Sequence, residues 1–144
     1  MFESYDQSIG SLTNKTSKKL INFVNTKLEP FDITTEQWAV LLTLSKQNKI
    51  NQKILSEVSG KDQTTLTRIL DIMERKNFIE RHSNKEDRRS FVISITEKGL
   101  DLVVKISPFL EDVFKDIVKD ISTEKLCIYV DVLLNIDSNI EKLK

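Results

Sequence analysis

"DQTTLTRILDIMERKNFIERHSNKEDRRSFVISI", residues 62–95, contains a helix, a turn and two short strands in succession. Leu66, Ile69, Leu70 and Met73 recur at steps of three and four, so they share one face of a helix opened by Asp62. The opposite face carries small hydroxyl and amide side chains: Gln63, Thr64, Thr65 and Thr67, with Arg68 one turn on. Such a face suits a major groove about 12 Å wide, where donors, acceptors and methyl groups meet base edges. A merely solvated helix face would carry more Glu and Lys. "FIERH" (78–82) and "FVISI" (91–95) are strand candidates, joined by a charged stretch containing Asp87, Arg88 and Arg89.

Outward from this segment the helical period continues. Phe2, Tyr5, Ile9, Leu12, Thr16, Leu20, Phe23 and Val24 predict a long amphipathic helix ending before Pro30. Thr34, three residues before Gln37, predicts a capping box for a helix with Trp38, Leu41, Leu42 and Leu44 on its apolar face. Asn51 is expected to cap a short helix over 52–58, buried through Ile54, Leu55 and Val58 and ended by Ser59-Gly60. Thr96 caps a helix that Ser107-Pro108 is expected to kink or restart, and Ser122 caps a last one bearing Leu126, Val130, Leu133, Leu134 and Ile140. The order is three helices, a groove-reading helix, a hairpin and two helices. That is a mainly α fold with a small β-hairpin wing, a winged helix-turn-helix extended at both ends. The terminal helices are too apolar for linkers, and a dimer interface is their ordinary use.

Composition narrows the classes. A chain of 144 residues suits one domain, and 39% apolar with 31% charged residues fits neither a disordered nor a membrane protein. No apolar run approaches the ~18 residues that span a bilayer, and the N-terminus lacks a signal-peptide pattern. One cysteine fits a reducing cytoplasm. One His and one Cys are too few ligands for a Cys/His zinc site within one chain, and neither a phosphate loop nor a catalytic triad pattern is present. Enzyme activity and a cofactor are therefore not expected. Net charge is zero, but all five arginines fall within residues 68–89, and segment 51–98 has ten basic against eight acidic residues. Arginine's planar fork suits phosphate and guanine edges. The arginine-rich tip of the hairpin is expected to probe a minor groove, with Asp87 holding the loop by binding an arginine or a backbone N–H.

"DQTTLTRILDIMERK", "FIER" and "EDRRSFVISITEKG" together resemble the core of the MarR (multiple-antibiotic-resistance regulator) family, and "ITTEQWAVLLTL" (33–44) resembles its second helix. The hallmark Asp-x-Arg wing and the Ile-Thr step into a helix fall on Asp87, Arg89, Ile95, Thr96 and Gly99. The resemblance implies a homodimeric repressor of transcription on a pseudo-palindromic double-stranded operator, released by a small aromatic or anionic effector. It implies dimerisation helices at about 1–30 and 100–144, around a DNA-binding region at about 33–98. Thr64, Thr65, Thr67 and Arg68, with Gln63, would meet the major groove, Arg89 the minor groove, and Arg88 a phosphate. Asn51, Gln52, Lys53 and Lys61 are assigned to phosphate contacts. Phe23 and Trp38, with Phe31 and Phe109, are candidates to line an effector pocket, core packing being the plainer role of each. Cys127, outside the first helix where the family's peroxide sensors keep theirs, is expected to be a packed small apolar residue. His82 is expected to be exposed or near a phosphate. The alternative is a winged helix serving as a protein-interaction or assembly module with no operator of its own.

Overall fold

The computed structural model describes residues 2–87 and 89–144. The chain divides into two compact units, Met1–Val104 and Lys105–Lys144. Among the described residues of the first, a π-helical turn at Asp6–Ser11 leads into α1 (Leu12–Leu28), and a 3-10 turn at Glu29–Phe31 ends it. Pro30 sits where its missing donor costs nothing, and Asp32 turns the chain in the left-handed region. α2 (Thr35–Lys46) opens with the expected capping box: Thr34 Oγ1 accepts the Gln37 N–H and Gln37 Oε1 accepts the Thr34 N–H, each at 3.2 Å. β1 (Ile50–Asn51), α3 (Gln52–Ser59), α4 (Gln63–Arg75), β2 (Ile79–Ser83) and β3 (Phe91–Ile95) follow, and α5 (Glu97–Ile117) begins in the same unit.

The core of this unit is built from the faces that the helical period marks out. Leu41 and Leu44 of α2, Leu55 of α3, and Leu66, Ile69, Leu70 and Met73 of α4 are fully buried together with Ile79 and Ile93. α3 buries less than its pattern promised. Ile54 and Val58 are exposed, because they lie one turn apart on the outer side while Leu55 and Ser56 face inward.

The hairpin is one residue offset from expectation in its first strand and gains a third strand. β3 is central, antiparallel to both neighbours, with Ile50 opposite Ile93 and Ile79 opposite Ile95. The two-residue β1 gives too little alternation to be seen in sequence. Asn48 Oδ1 accepts the Ile95 N–H at 3.0 Å, tying the segment before β1 to the end of β3.

The second unit contains the rest of α5 and α6 (Thr123–Leu143), capped by Ser122 as expected. Of the kink or restart expected at Pro108, the restart does not occur: α5 is one helix with Pro108 inside it. The carbonyl freed by Pro108 is that of Val104, whose side chain is 74% exposed, so water can serve it. No described residue of α6 is buried, and Ile128, Val130, Val132, Leu133, Leu134 and Ile140 stand exposed.

Gly99 shows why the step into α5 ends in glycine. Thr96 caps the helix by accepting the Gly99 N–H at 3.1 Å, and donates its own N–H to the Phe78 carbonyl at 3.0 Å. A Cβ on Gly99 would run into that carbonyl oxygen and lie 2.8 Å from Ile95 Cγ1. Gly99→Ala is expected to cost about 1–3 kcal/mol, as overpacking against backbone does. Urea unfolding checks it, with Gly10→Ala, whose new Cβ would meet only Asp6 Oδ1 at 3.4 Å, staying near wild type.

Candidate nucleic-acid interface

Burial of one face of α4 turns the other to solvent. Gln63, Thr64, Thr67, Arg68 and Asp71 line a shallow concave surface of about 430 Å³. Beside it, Asn51, Gln52, Lys53, Gln63, Thr67, Arg81, Arg89, Ser90 and Phe91 line a second of about 360 Å³. Gln63 and Thr67 belong to both, so the α4 face, the α3 N-terminus and the base of the hairpin tip form one continuous surface.

Its side chains are held from behind. Asn51 Oδ1 accepts the Lys53 N–H at 2.8 Å and caps α3. Gln52 Nε2 donates to Thr67 Oγ1 at 3.0 Å, and that hydroxyl donates to the Gln63 carbonyl at 2.7 Å. Asp62 caps α4: its carboxylate accepts the Thr65 N–H at 2.7 Å and the Thr65 hydroxyl at 2.9 Å. These two bonds, the backbone one first, hold the Asp62 carboxyl below the usual carboxylate range. Thr65 is thereby turned to the cap and lines neither concave surface. Lys61 lies just ahead of that cap, half-buried, its carbonyl accepting the Ser56 hydroxyl at 2.5 Å.

The hairpin tip is ordered by side-chain turns. Asp87 Oδ1 accepts the Arg89 N–H at 3.0 Å, and the Asp87 carbonyl accepts the Ser90 N–H at 3.1 Å. Asn84 adds a second such turn through the Glu86 N–H. Of the two partners expected for Asp87, the structure has the backbone N–H. Arg89 is exposed, and Ser90 and Phe91, which carry no groove-reading signal in the sequence, line the same concave surface. Arg88 lies outside the described residues.

Residues 33–91 match the sequence profile of the MarR family. Over 124 residues the chain is 32% identical to the HTH-type transcriptional regulator SarZ of Staphylococcus haemolyticus, covering 86% of this chain and 83% of that one. The chain belongs to the MarR family. Its fold is similar to that of an E. coli MarR mutant complexed with operator DNA, with a TM-score of 0.84 at 24% identity over 93% of this chain and 98% of that one. It is also similar to the PcaV transcriptional regulator of Streptomyces coelicolor in complex with its natural ligand, with a TM-score of 0.83 at 16% identity over 94% and 96%.

Within this MarR-family chain the arginines divide by role. Arg81 Nη2 binds Asp71 Oδ1 at 2.7 Å and Glu74 Oε1 at 3.0 Å, and Arg81 Nε binds Glu74 Oε2 at 3.3 Å. Arg81 thus ties β2 to α4, a structural use that its clustering with the other arginines concealed. Strand alternation held the clue: Arg81 shares its face with buried Ile79. Arg75 Nε donates to the Asp71 carbonyl at 3.3 Å, and Arg68 Nη2 binds Glu36 Oε2 at 3.2 Å.

The aromatic candidates do not enter the core. Phe23 is 46% exposed with Lys27 Nζ 5.3 Å above its ring, and Trp38, Phe31 and Phe109 are only half-buried. Cys127 is exposed rather than packed, in a shallow groove with Leu126, Val130, Asp131 and Leu134, because α6 finds no cover within its own unit. His82 is exposed, 3.2 Å from Glu80. Among the described residues no group of three or more His, Cys, Asp or Glu is placed to hold a metal, and no helix is long and apolar enough to cross a membrane.

The Arg81 hydrogen bonds hold the Glu74 carboxyl below its usual range, and Glu74 and Asp71 raise the Arg81 guanidinium above its own. A depressed acid stabilises the fold fully above its unfolded pKa, and that share is lost as pH falls through its folded value. Arg81→Ala is expected to cost about 1–2 kcal/mol at neutral pH, allowing for the partial exposure of the acids. The gap from wild type should narrow toward about pH 3. Urea unfolding at both pH values checks this.

Proposed function

We infer that the chain is a DNA-binding transcriptional regulator, a homodimeric repressor released by a small ligand. The observation that carries DNA binding is the single surface joining Gln63, Thr64, Thr67 and Arg68 of α4 to Arg89 of the wing. On this reading α4 enters the major groove and Arg68 reaches a guanine or a phosphate. Thr65 orders the first turn through Asp62 and offers the groove its methyl at most. Asp87 shapes the wing, Arg89 probes the minor groove, and Arg88, Asn51, Gln52, Lys53 and Lys61 meet phosphates. The regulator works in the cytoplasm, where its operator is.

Dimerisation is supported by the exposed apolar side chains of α6, since six large aliphatic side chains facing water are costly in a monomer. Helices at about 1–30 and 100–144 serve this purpose, and the region at about 33–98 binds DNA. Two copies then set their α4 helices in successive major grooves about one DNA turn apart. A structurally similar regulator, PcaV, binds a natural ligand. Here the half-buried Trp38 and the exposed Phe23 are the aromatic surface available to an aromatic or anionic effector.

Titration of random-sequence duplex by the full chain tests the central claim. Binding is expected at low salt and should fall steeply as salt rises; its absence at low salt would leave an assembly module as the function. Arg68→Ala should lose about 1–3 kcal/mol and relax preference at one base pair, whereas uniform loss on all sequences would place Arg68 on a phosphate. Arg89→Ala should weaken binding chiefly to sites with A·T-rich flanks; equal weakening on G·C-rich flanks contradicts minor-groove entry. In sedimentation the chain should run as twice its 16.7 kDa. Ile128→Asp with Leu134→Asp should yield monomers of unchanged helix content.

A further inference from the structure

Arg68, the longest donor on the groove-facing side of α4, is held by an acid from another helix. Its Nη2 donates to Glu36 Oε2 at 3.2 Å, across 32 residues of chain. The local candidate for that role is Asp71, one turn further along the same face, but its Oδ1 is already bound by Arg81. Glu36 stands in the first turn of α2, where the helix dipole favours an acid. Its backbone is fixed on both sides: Thr34 and Gln37 close the capping box, and the Thr35 N–H donates to Asn25 Oδ1 at 2.8 Å. Arg68 is fixed as well, between buried Leu66 and Ile69.

We propose that Glu36 is a specificity-determining residue that acts through Arg68, holding its guanidinium away from phosphates so that a base edge is the contact that repays its use. Both side chains are about half exposed, so the pair adds little to stability. It uses one of the five N–H donors of Arg68 and leaves the rest directed by a fixed anchor. A phosphate approaching Arg68 meets the Glu36 charge and is repelled. A guanine edge offers two neutral acceptors to the remaining donors and meets no such penalty. Glu36 is thus a positioning residue that lowers affinity for DNA at large and raises the contrast between sequences. This rests on the DNA-binding reading above.

The test compares wild type with Glu36→Gln on two probes: a duplex that the wild-type protein selects from a random pool, and the random pool itself. With Glu36→Gln, affinity for the random pool should rise more than affinity for the selected duplex. Their ratio should fall about tenfold, the scale of one base contact. The salt dependence on the random pool should steepen by about one phosphate as Arg68 turns to the backbone. In an Arg68→Ala background, Glu36→Gln should leave the ratio unchanged. An unaltered ratio in the wild-type background overturns the proposal, and so does an equal change in both backgrounds, which would make Glu36 a simple repulsive charge. Failure of wild type to bind either probe at low salt would refute the DNA-binding reading instead.

Discussion

Burying Leu66, Ile69, Leu70 and Met73 on one side of α4 fixes where everything else on that helix must point. Each of these side chains is at most 1% exposed, so α4 cannot rotate without opening the core it shares with α2, α3 and the sheet. Gln63, Thr64, Thr67 and Arg68 are therefore presented to solvent by packing, and the bonds of Thr67 to Gln52 and of Arg68 to Glu36 only refine how they stand. The Asp62 cap completes the constraint at the start of α4, where it pairs the Thr65 N–H, one of the backbone donors that a helix N-terminus leaves without a partner. A rigid face carrying short polar side chains loses little conformational entropy on meeting DNA.

The wing depends on α4 through Arg81. This one guanidinium, 20% exposed, bridges two acids of α4 from the middle strand position of β2. Removing it leaves the Asp71 and Glu74 carboxylates without this partner, at a cost moderated by their partial exposure. The hairpin is thus held to α4 by charge as well as by Ile79 and Ile93. A chain with zero net charge manages DNA recognition on this view by giving its arginines different tasks. Arg81 builds, while on the proposed reading Arg68 and Arg89 face the groove and the acids nearby limit indiscriminate attraction.

Elements whose signals are local were legible in the sequence. Thr34 with Gln37, Asn51, Asp62, Thr96 and Ser122 each announce a helix start within three residues, and each caps the helix expected. Asp87 was legible too, because an acid two residues before the amide it binds is a short-range pattern. What escaped depends on distance or on context. Two residues of β1 carry no period, and of the kink or restart expected at Pro108 the restart is avoided because α5 has an exposed side on which a lost bond is cheap. Ile54, Val58 and Cys127 look like core by composition, yet each stands exposed on its helix. The Glu36–Arg68 pair could not be found by any pattern on α4 alone, since its halves belong to different helices.

That last pair bears on how a neutral protein can discriminate between DNA sequences at all. Phosphate attraction supplies affinity without sequence information, so strengthening it everywhere raises binding to all competitors alike. Selectivity needs an element that penalises the wrong contact as well as one that rewards the right one. On the proposed reading Arg68 is the rewarding element, and Glu36 is the only acid bonded to its side chain among the described residues. Asp71, tied to Arg81, adds a second negative charge to the same concave surface. Two acids beside one arginine would be a poor arrangement for gripping a uniform polyanion. They suit a surface on which the backbone is approached mainly from the α3 end and the wing, leaving the centre of α4 to the bases.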